Sequence, residues 1–280
     1  MQALPEPNVV ENPAFQSDKL MTIAQEIEAM TDPSFMTSLA RGLAVVRAFS
    51  DQRRSLTIAQ ISHRTGIPRA AVRRCLYTLK RLGYADSEAN NFFLKPKILS
   101  LGYSYLSSTP LTVSAQPCLN NISRSLNESC SLAVMDNDEV LYVARSATSR
   151  VMSIALNTGS RLPAYCTSLG RVLLATMSED AQREYFETAK LRAYTERTVV
   201  SAARLREILS EVRVSGYAVV EEELEVGLRS IAVPVRGASG VVHAALNVGA
   251  QATRVSTRQM EEEFLPVLRR GAQELSVLLP

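Results

Sequence analysis

Apolar residues recur three and four positions apart through residues 17–30 (Leu20, Ile23, Ala24, Ile27, Met30), which predicts a short amphipathic helix. The same spacing over residues 35–49 predicts a second, with Leu39, Leu43, Val46 and Phe49 on its inner face. Residues 50–55 read as a polar turn. Thr57 and Gln60 then have the spacing of a capping box, opening a helix whose Ile58 and Ile61 face inward and which Gly66 ends. The next helix has Pro68 at its first position, Gly83 just past its end, and Val72, Cys75, Leu76, Leu79 and Leu82 along one side. Short apolar pieces at 84–85 and 91–94 bracket polar residues 86–90, the shape of a small hairpin. Helix, short glycine turn, helix and hairpin make a winged helix-turn-helix.

Beyond it, residues 98–106 suit a linker helix stopped by Pro110, and residues 117–126 another helix. Residues 129–135 and 139–146 form a hairpin, and 151–156 continue as strand. A helix begins at Thr167 or Ser168 and runs through Met177, followed by helices at about 179–189 and 202–214. Residues 217–220 make a strand, the acids Glu221, Glu222 and Glu223 fall in a connection, and 230–235 with 241–248 form a second hairpin. A helix over 257–278 closes the chain. Hairpins with helices before, between and after them predict an α+β domain of helices packed on an antiparallel sheet. The expected layout is therefore a tail with a short helix (1–35), a winged helix-turn-helix (36–97), a linker helix (98–113) and a second domain (114–280).

Charge separates these parts. The chain's net +3 conceals −5 over residues 1–35, +9 over 36–113 and −1 over 114–280. No Asp or Glu occurs from Gln52 through Ala85, against eight Lys/Arg. A merely solvated helix intersperses acids among its bases, so charge of one sign calls for a polyanion. The helix after Pro68 places Arg69, Ala70, Arg73, Arg74, Tyr77 and Arg81 on or near its outer side, a face suited to the DNA major groove, where Arg reads guanine edges. Thr57, at the start of the preceding helix, is a further candidate DNA contact. Double-stranded DNA is the expected partner of this half.

Catalytic and metal chemistry find little support. Cys75, Cys118, Cys130 and Cys166 show no C-x-x-C pairing and suit burial in a reducing compartment better than a disulfide framework or a zinc site. His63 and His243, the two histidines, have no second ligand at metal spacing. Ser168 stands in Thr-Ser-Leu-Gly, which is no nucleophile elbow. The Glu221–Glu223 run could serve a metal or a base, but a solvated connection is the plainer reading. The acidic, proline-bearing start does not resemble a signal peptide, and no apolar run approaches the ~20 residues of a membrane span. A cytoplasmic protein with no cofactor, no metal and no membrane partner is expected. Two other classes compete with a regulator: a small-molecule enzyme carrying an accessory basic domain, and an architectural DNA-binding protein, which leaves residues 163–175 without a purpose.

The pieces Leu56-Thr57-Ile58-Ala59-Gln60, Arg64-Thr65-Gly66-Ile67-Pro68 and Leu82-Gly83-Tyr84 resemble the DNA-binding half of the IclR family of bacterial transcription regulators. The stretch Leu162 to Ala175 with its Gly170-Arg171, then Gly216-Tyr217, Glu221-Glu222-Glu223, Gly227 to Val235 and Ala244 to Val248 resemble that family's effector-binding domain in order and spacing. The resemblance covers roughly residues 36–280. Residues 35–43, 67–74, 105–108 and 163–168 are most similar to the branch controlling aromatic-acid catabolism through the β-ketoadipate pathway, whose members respond to protocatechuate, p-hydroxybenzoate or β-ketoadipate. The resemblance implies a GAF-like effector domain, homodimers joined through the DNA-binding halves, often pairs of such dimers, and a small carboxylic acid as effector.

It also implies contact positions at Ser168, Leu169, Val220, Ser230, Asn247 and Gly249. Relatives that bind short oxo acids have an acidic residue where Val220 stands and serines where Asn247 and Gly249 stand, so a different acid is implied here. The turn from Cys166 to Gly170 enters a helix whose first N–H groups are unpaired and suited to a carboxylate; by residue type alone an ordinary N-cap at Thr167 or Ser168 is the commoner case, and the resemblance of the flanking Leu-Pro and Gly-Arg favours the ligand. Tyr165 would pack the ligand ring, Ser230 and Asn247 would meet its far end, and a bulky residue at Leu169 would block the pocket.

Overall fold

A computed structural model describes residues 24, 27, 30, 32–50, 53–108, 110–148, 156–277 and 279. The tail, most of the expected helix over 17–30 and all but the last residue of the expected strand over 151–156 lie outside these residues. The chain divides into two compact units that part between Tyr105 and Leu106.

The first unit comprises α1 (Thr37–Arg47), β1 (Ser55–Leu56), α2 (Ile58–Thr65), α3 (Arg69–Arg81), β2 (Ala85–Glu88) and β3 (Asn91–Leu94). Thr57 caps α2 with the reciprocal Gln60 bonds its sequence predicted, and Gly66 ends it at φ 71°. Pro68 proves to be the N-cap of α3 rather than its first helical residue. At the far end Gly83 N–H donates to Lys80 and Tyr84 N–H to Leu79, the Schellman pair that a residue at φ 81° permits. Val72 and Leu76 of α3 bury against Ala44, Val45, Ile61 and Ile67.

Two expectations fail here. The inner face of α1 is Ala44 and Val45, with Ala48 just beyond, while Leu39 and Leu43 are 59% and 52% exposed. Small residues let α1 lie close on α3, and the large ones are left outside. The wing also has a third strand: β1 pairs antiparallel with β3, giving the order β1-β3-β2, and residues 86–88 belong to β2 rather than to the turn.

A 3₁₀ turn (Pro96–Ile98) leads into α4 (Leu99–Ser108). The second unit holds α5 (Pro110–Leu126), β4 (Ser129–Asp136), β5 (Glu139–Ser146), β6 (Arg161–Pro163), α6 (Ser168–Ala175), α7 (Glu179–Thr188), α8 (Ala202–Ser215), β7 (Ala218–Glu221), β8 (Leu228–Arg236), β9 (Val242–Gln251), α9 (Thr257–Gln259), a π-helical turn (Met260–Phe264) and α10 (Leu265–Ser276). Helix α5 begins seven residues before its expected start and carries Pro117 inside it. Residues 110–113 thus belong to this helix and not to a linker, and Leu111 is part of the core.

The six-stranded antiparallel sheet has the order β6-β5-β4-β9-β8-β7, with β6 unforeseen. Alternation along each strand divides its residues between two cores. One face (Cys130, Leu132, Ile231, Val233, Leu246, Val248) packs on α5 and α10. The other (Ala133, Tyr142, Ala232, Ala245) packs on α6. Small residues on this second face let α6 settle closely. A methyl group on Gly170 would stand 2.1 Å from the Ala164 carbonyl oxygen, so that position admits glycine alone.

Candidate DNA-binding helix and effector cavity

Helix α3 exposes Arg69, Ala70, Arg73, Arg74, Tyr77 and Arg81 together, and the three arginines nearest its start make no ion pair with any described residue. Thr57 spends its hydroxyl on the cap of α2. Lys80 is committed elsewhere: its Nζ lies 2.9 Å from Asp86 and 2.8 Å from the Ser87 hydroxyl, tying α3 to the wing. That hydrogen bond holds the Asp86 carboxyl below its ordinary range. Lys97 donates to the Leu82 carbonyl and lies over the Tyr84 ring. Three cations without an ion pair to a described residue are therefore gathered at the start of α3.

In the second unit, strand register sets two parallel rows of side chains on the face toward α6. One row runs Arg145, Ser131, Asn247, Ala232 across β5, β4, β9 and β8. The other runs Ser129, Gly249, Ser230, Val220 across β4, β9, β8 and β7. A β-bulge opposite Leu132 and Ala133 inserts Val143 into β5. Tyr142 and Arg145, three residues apart, would point to opposite faces of a regular strand; the extra residue brings both to the same one.

A cavity of about 40 Å³ lies against these rows, lined by Tyr142, Arg145, Val220, Ser230, Asn247 and Gly249, with Cys166, Thr167, Leu156, Leu162, Glu223 and Leu224 among its other walls. Arg145 uses one terminal N–H on the Ser131 hydroxyl at 2.9 Å, and its buried Nε has no partner. The buried Asn247 Oδ1 has none either. Two residues of the lining thus carry buried unmatched polar atoms, a donor on a guanidinium and, two strands away, an acceptor. Burial pushes the Tyr142 hydroxyl up and Arg145 down from their ordinary values. It also pushes the Cys166 thiol up to about 12, so no thiolate forms there near neutral pH.

Of the eight effector positions named from sequence, Cys166, Val220, Ser230, Asn247 and Gly249 line this cavity and Tyr165, Ser168 and Leu169 do not. The Tyr165 hydroxyl donates to the Arg192 carbonyl at 2.6 Å and accepts from the Arg192 N–H at 2.8 Å, so it braces a loop. Leu169 is fully buried in the core, where a larger residue would disturb packing rather than plug a pocket. Thr167 is the N-cap of α6, accepting from Gly170 N–H at 3.1 Å, while the buried Ser168 hydroxyl has no partner.

The acid run is not a solvated connection. Glu223 is 6% exposed and lies 2.7 Å from Arg171, itself 3% exposed. Glu223 also accepts from Val199 N–H, and Arg171 Nε donates to the Tyr165 carbonyl at 3.0 Å. Glu221 ends β7 beside Arg229, whose hydrogen bond holds its carboxyl below the usual range. Sequence reasoning passes over Arg145, reads Glu223 only as one of three acids in a solvated connection, and takes Arg171 only as half of the Gly170-Arg171 pair. Among the described residues no group of His, Cys, Asp and Glu could hold a metal ion, and no helix is long and apolar enough to cross a membrane.

Residues 38–89 match the model of the IclR helix-turn-helix domain, and residues 103–277 that of the bacterial transcriptional regulator IclR C-terminal domain. The chain is 52% identical over 273 residues to the Pca regulon regulatory protein of Pseudomonas putida, covering 97% of this chain and 94% of that protein. It is 39% identical over 257 residues to the p-hydroxybenzoate hydroxylase transcriptional activator of Acinetobacter baylyi, covering 90% and 95%. The crystal structure of an IclR homolog from Microbacterium hydrocarbonoxydans complexed with 4-hydroxybenzoate is similar over 86% of this chain and 98% of that one, at 25% identity and a TM-score of 0.75. With both domain models matched in order and relatives this close along nearly its whole length, the chain belongs to the IclR family of DNA-binding transcriptional regulators.

Proposed function

We propose that the protein regulates genes of aromatic-acid catabolism and that the cavity beside Arg145 takes a small hydroxylated aromatic carboxylate such as 4-hydroxybenzoate or protocatechuate. The observation that carries this reading is the pair of unmatched polar atoms on one row of the sheet. Arg145 and Asn247 stand two strands apart, roughly 10 Å between backbones at the usual strand spacing. That span suits a carboxylate on the guanidinium and a phenolic hydroxyl donating to Asn247 Oδ1, with Gly249 leaving a low floor for the ring. The bound 4-hydroxybenzoate of the Microbacterium protein and the name of the Acinetobacter activator support the same class of ligand.

At about 40 Å³ the cavity is small beside ligand pockets of roughly 300–1,000 Å³. An aromatic acid must therefore spread its walls, so that it binds one arrangement of the domain better than another, which is what a sensor requires. Calorimetry with 4-hydroxybenzoate and benzoate tests the assignment. Arg145→Gln should weaken both by about 1.5–3 kcal/mol, the worth of a hydrogen bond to a charged group. Asn247→Leu should weaken 4-hydroxybenzoate and spare benzoate. Undiminished affinity in both variants would place the effector elsewhere.

The reading extends to self-association. Met36, Leu39 and Leu43 form an exposed apolar stripe on and beside α1, and a single helix-turn-helix reads too short a site to be specific, so a two-fold dimer on paired half-sites is expected. Sedimentation of the full chain at micromolar concentration should show a dimer or a pair of dimers, and Leu39→Lys with Leu43→Lys should shift it toward monomer. A wild-type monomer, with and without DNA, would refute this.

A further inference from the structure

Helix α6 meets the effector cavity with its leading end and a second depression with its trailing end. This open groove, about 480 Å³, is lined by Val172, Ala175, Thr176, Met177 and Ser178 on the α6 side, by Val212, Arg213 and Gly216 at the end of α8, and by Pro234 and Arg236 on β8. Its size lies in the range of small-molecule sites, and its mixture of an apolar floor with a few convergent polar groups is what such sites share.

The hydrogen-bond balance indicates the charge of a ligand. Helix ends ordinarily leave carbonyls unpaired, which favours a cation. Here they are occupied: Leu173 O accepts from Thr176 N–H and its hydroxyl, Leu174 O from Met177 N–H and Gln182, Ala175 O from Arg213 Nε at 2.9 Å, and Met177 O from Arg213 at 3.1 Å. Gly216 N–H closes the end of α8 on Val212 O. The surplus is of donors. Arg213 keeps one terminal nitrogen free of described partners, and Arg236 gives a single bond, to Gly240 O at 3.2 Å. No acidic residue lines the groove, and neither guanidinium is ion-paired to a described residue.

We propose that this groove is a second ligand site, which takes a small organic anion with an apolar body: the carboxylate between Arg213 and Arg236, the body on Val172, Met177, Val212 and Pro234. Because its ligand would bear on the trailing end of the helix whose leading end walls the effector cavity, occupancy of one site alters affinity at the other. Only this coupling rests on the effector assignment. Linkage makes it reciprocal.

Benzoate is the probe, titrated by calorimetry into the full chain and into three variants. Arg145→Gln disables the effector cavity alone; Arg236→Glu and Thr176→Trp reverse a charge in the groove and fill it, at exposed positions that leave the Arg213 bonds in place. The expected result is two sites in the wild type, one remaining in Arg145→Gln, and loss of that one when either groove substitution is added. A single site abolished by Arg145→Gln, with the groove substitutions silent, overturns the proposal and leaves the effector assignment standing. Binding lost only through the groove substitutions supports the groove and overturns the effector assignment. No binding of benzoate by any form up to millimolar concentration overturns the groove.

Discussion

Replacing Arg69, Arg73 and Arg74 together with alanine is expected to lower affinity for operator DNA by two orders of magnitude or more while leaving the fold of the first unit intact. All three are exposed near the start of α3, and none is held by an ion pair to a described residue, so truncation strips the charge proposed to meet DNA without uncovering a buried group. An arginine that reads a base is worth about 1–3 kcal/mol, and every phosphate left unneutralised flattens the salt dependence by about one unit of slope. Neighbouring side chains do not add simply, so the single variants matter as much as the triple. Lys80→Ala supplies the contrast. Its ammonium is engaged by Asp86 and Ser87, so its removal should change DNA affinity little. Gel-shift titrations at two salt concentrations decide the matter: wild-type affinity in the triple variant would mean that α3 is not the recognition helix.

The second large effect is expected at the Arg171–Glu223 pair. Both side chains are almost wholly buried, and each also binds backbone: Arg171 the Tyr165 carbonyl, Glu223 the Val199 N–H. Removing one charge strands the other in a poor solvent for it, at about 3–5 kcal/mol. That is a large share of the roughly 5–15 kcal/mol by which a domain is stable. Glu223→Gln, nearly isosteric, should therefore lower the denaturant midpoint strongly, whereas Arg171→Met with Glu223→Leu should regain much of the loss by removing both charges. Arg204→Ala, which breaks the exposed pair with Glu207, should cost less than about 1 kcal/mol. If Glu223→Gln proved as mild as Arg204→Ala, the pair would not be what fastens the start of α6 to the β7–β8 connection.

Local chemistry makes the first unit legible. A capping box and two glycines at helix ends act within a few residues and identify α2 and α3, while the acid-free stretch marks the face proposed to meet DNA. What escapes depends on distant partners. Strand β1 is two residues long and exists because Phe92 and Phe93 lie beside it. The inner face of α1 is misjudged because large apolar residues outnumber the positions its neighbours can cover, and the smaller ones fit closest. In the second unit, Glu223 looks like one of three solvated acids because its partner is 52 residues earlier. Arg145 is hidden by the bulge: counting twos along β5 puts it on the opposite face from Tyr142, and only the inserted Val143 restores them to one side.

The pairing of β4 with β9 governs the order in which the protein can be made. Ser129 lies opposite Gly249, so the middle ladder of the sheet joins segments separated by more than a hundred residues, whereas the wing and helices of the first unit close over short loops. At roughly 5–20 residues per second of synthesis, the β4–β5 hairpin leaves the ribosome on the order of ten seconds before its central partner. During that interval one edge of β4 is unpaired, a template for other chains as well as for its own. The DNA-binding unit can form while the sensor unit is still a nascent hairpin, and release of a chain short of β9 would yield a folded DNA-binding head joined to an aggregation-prone tail.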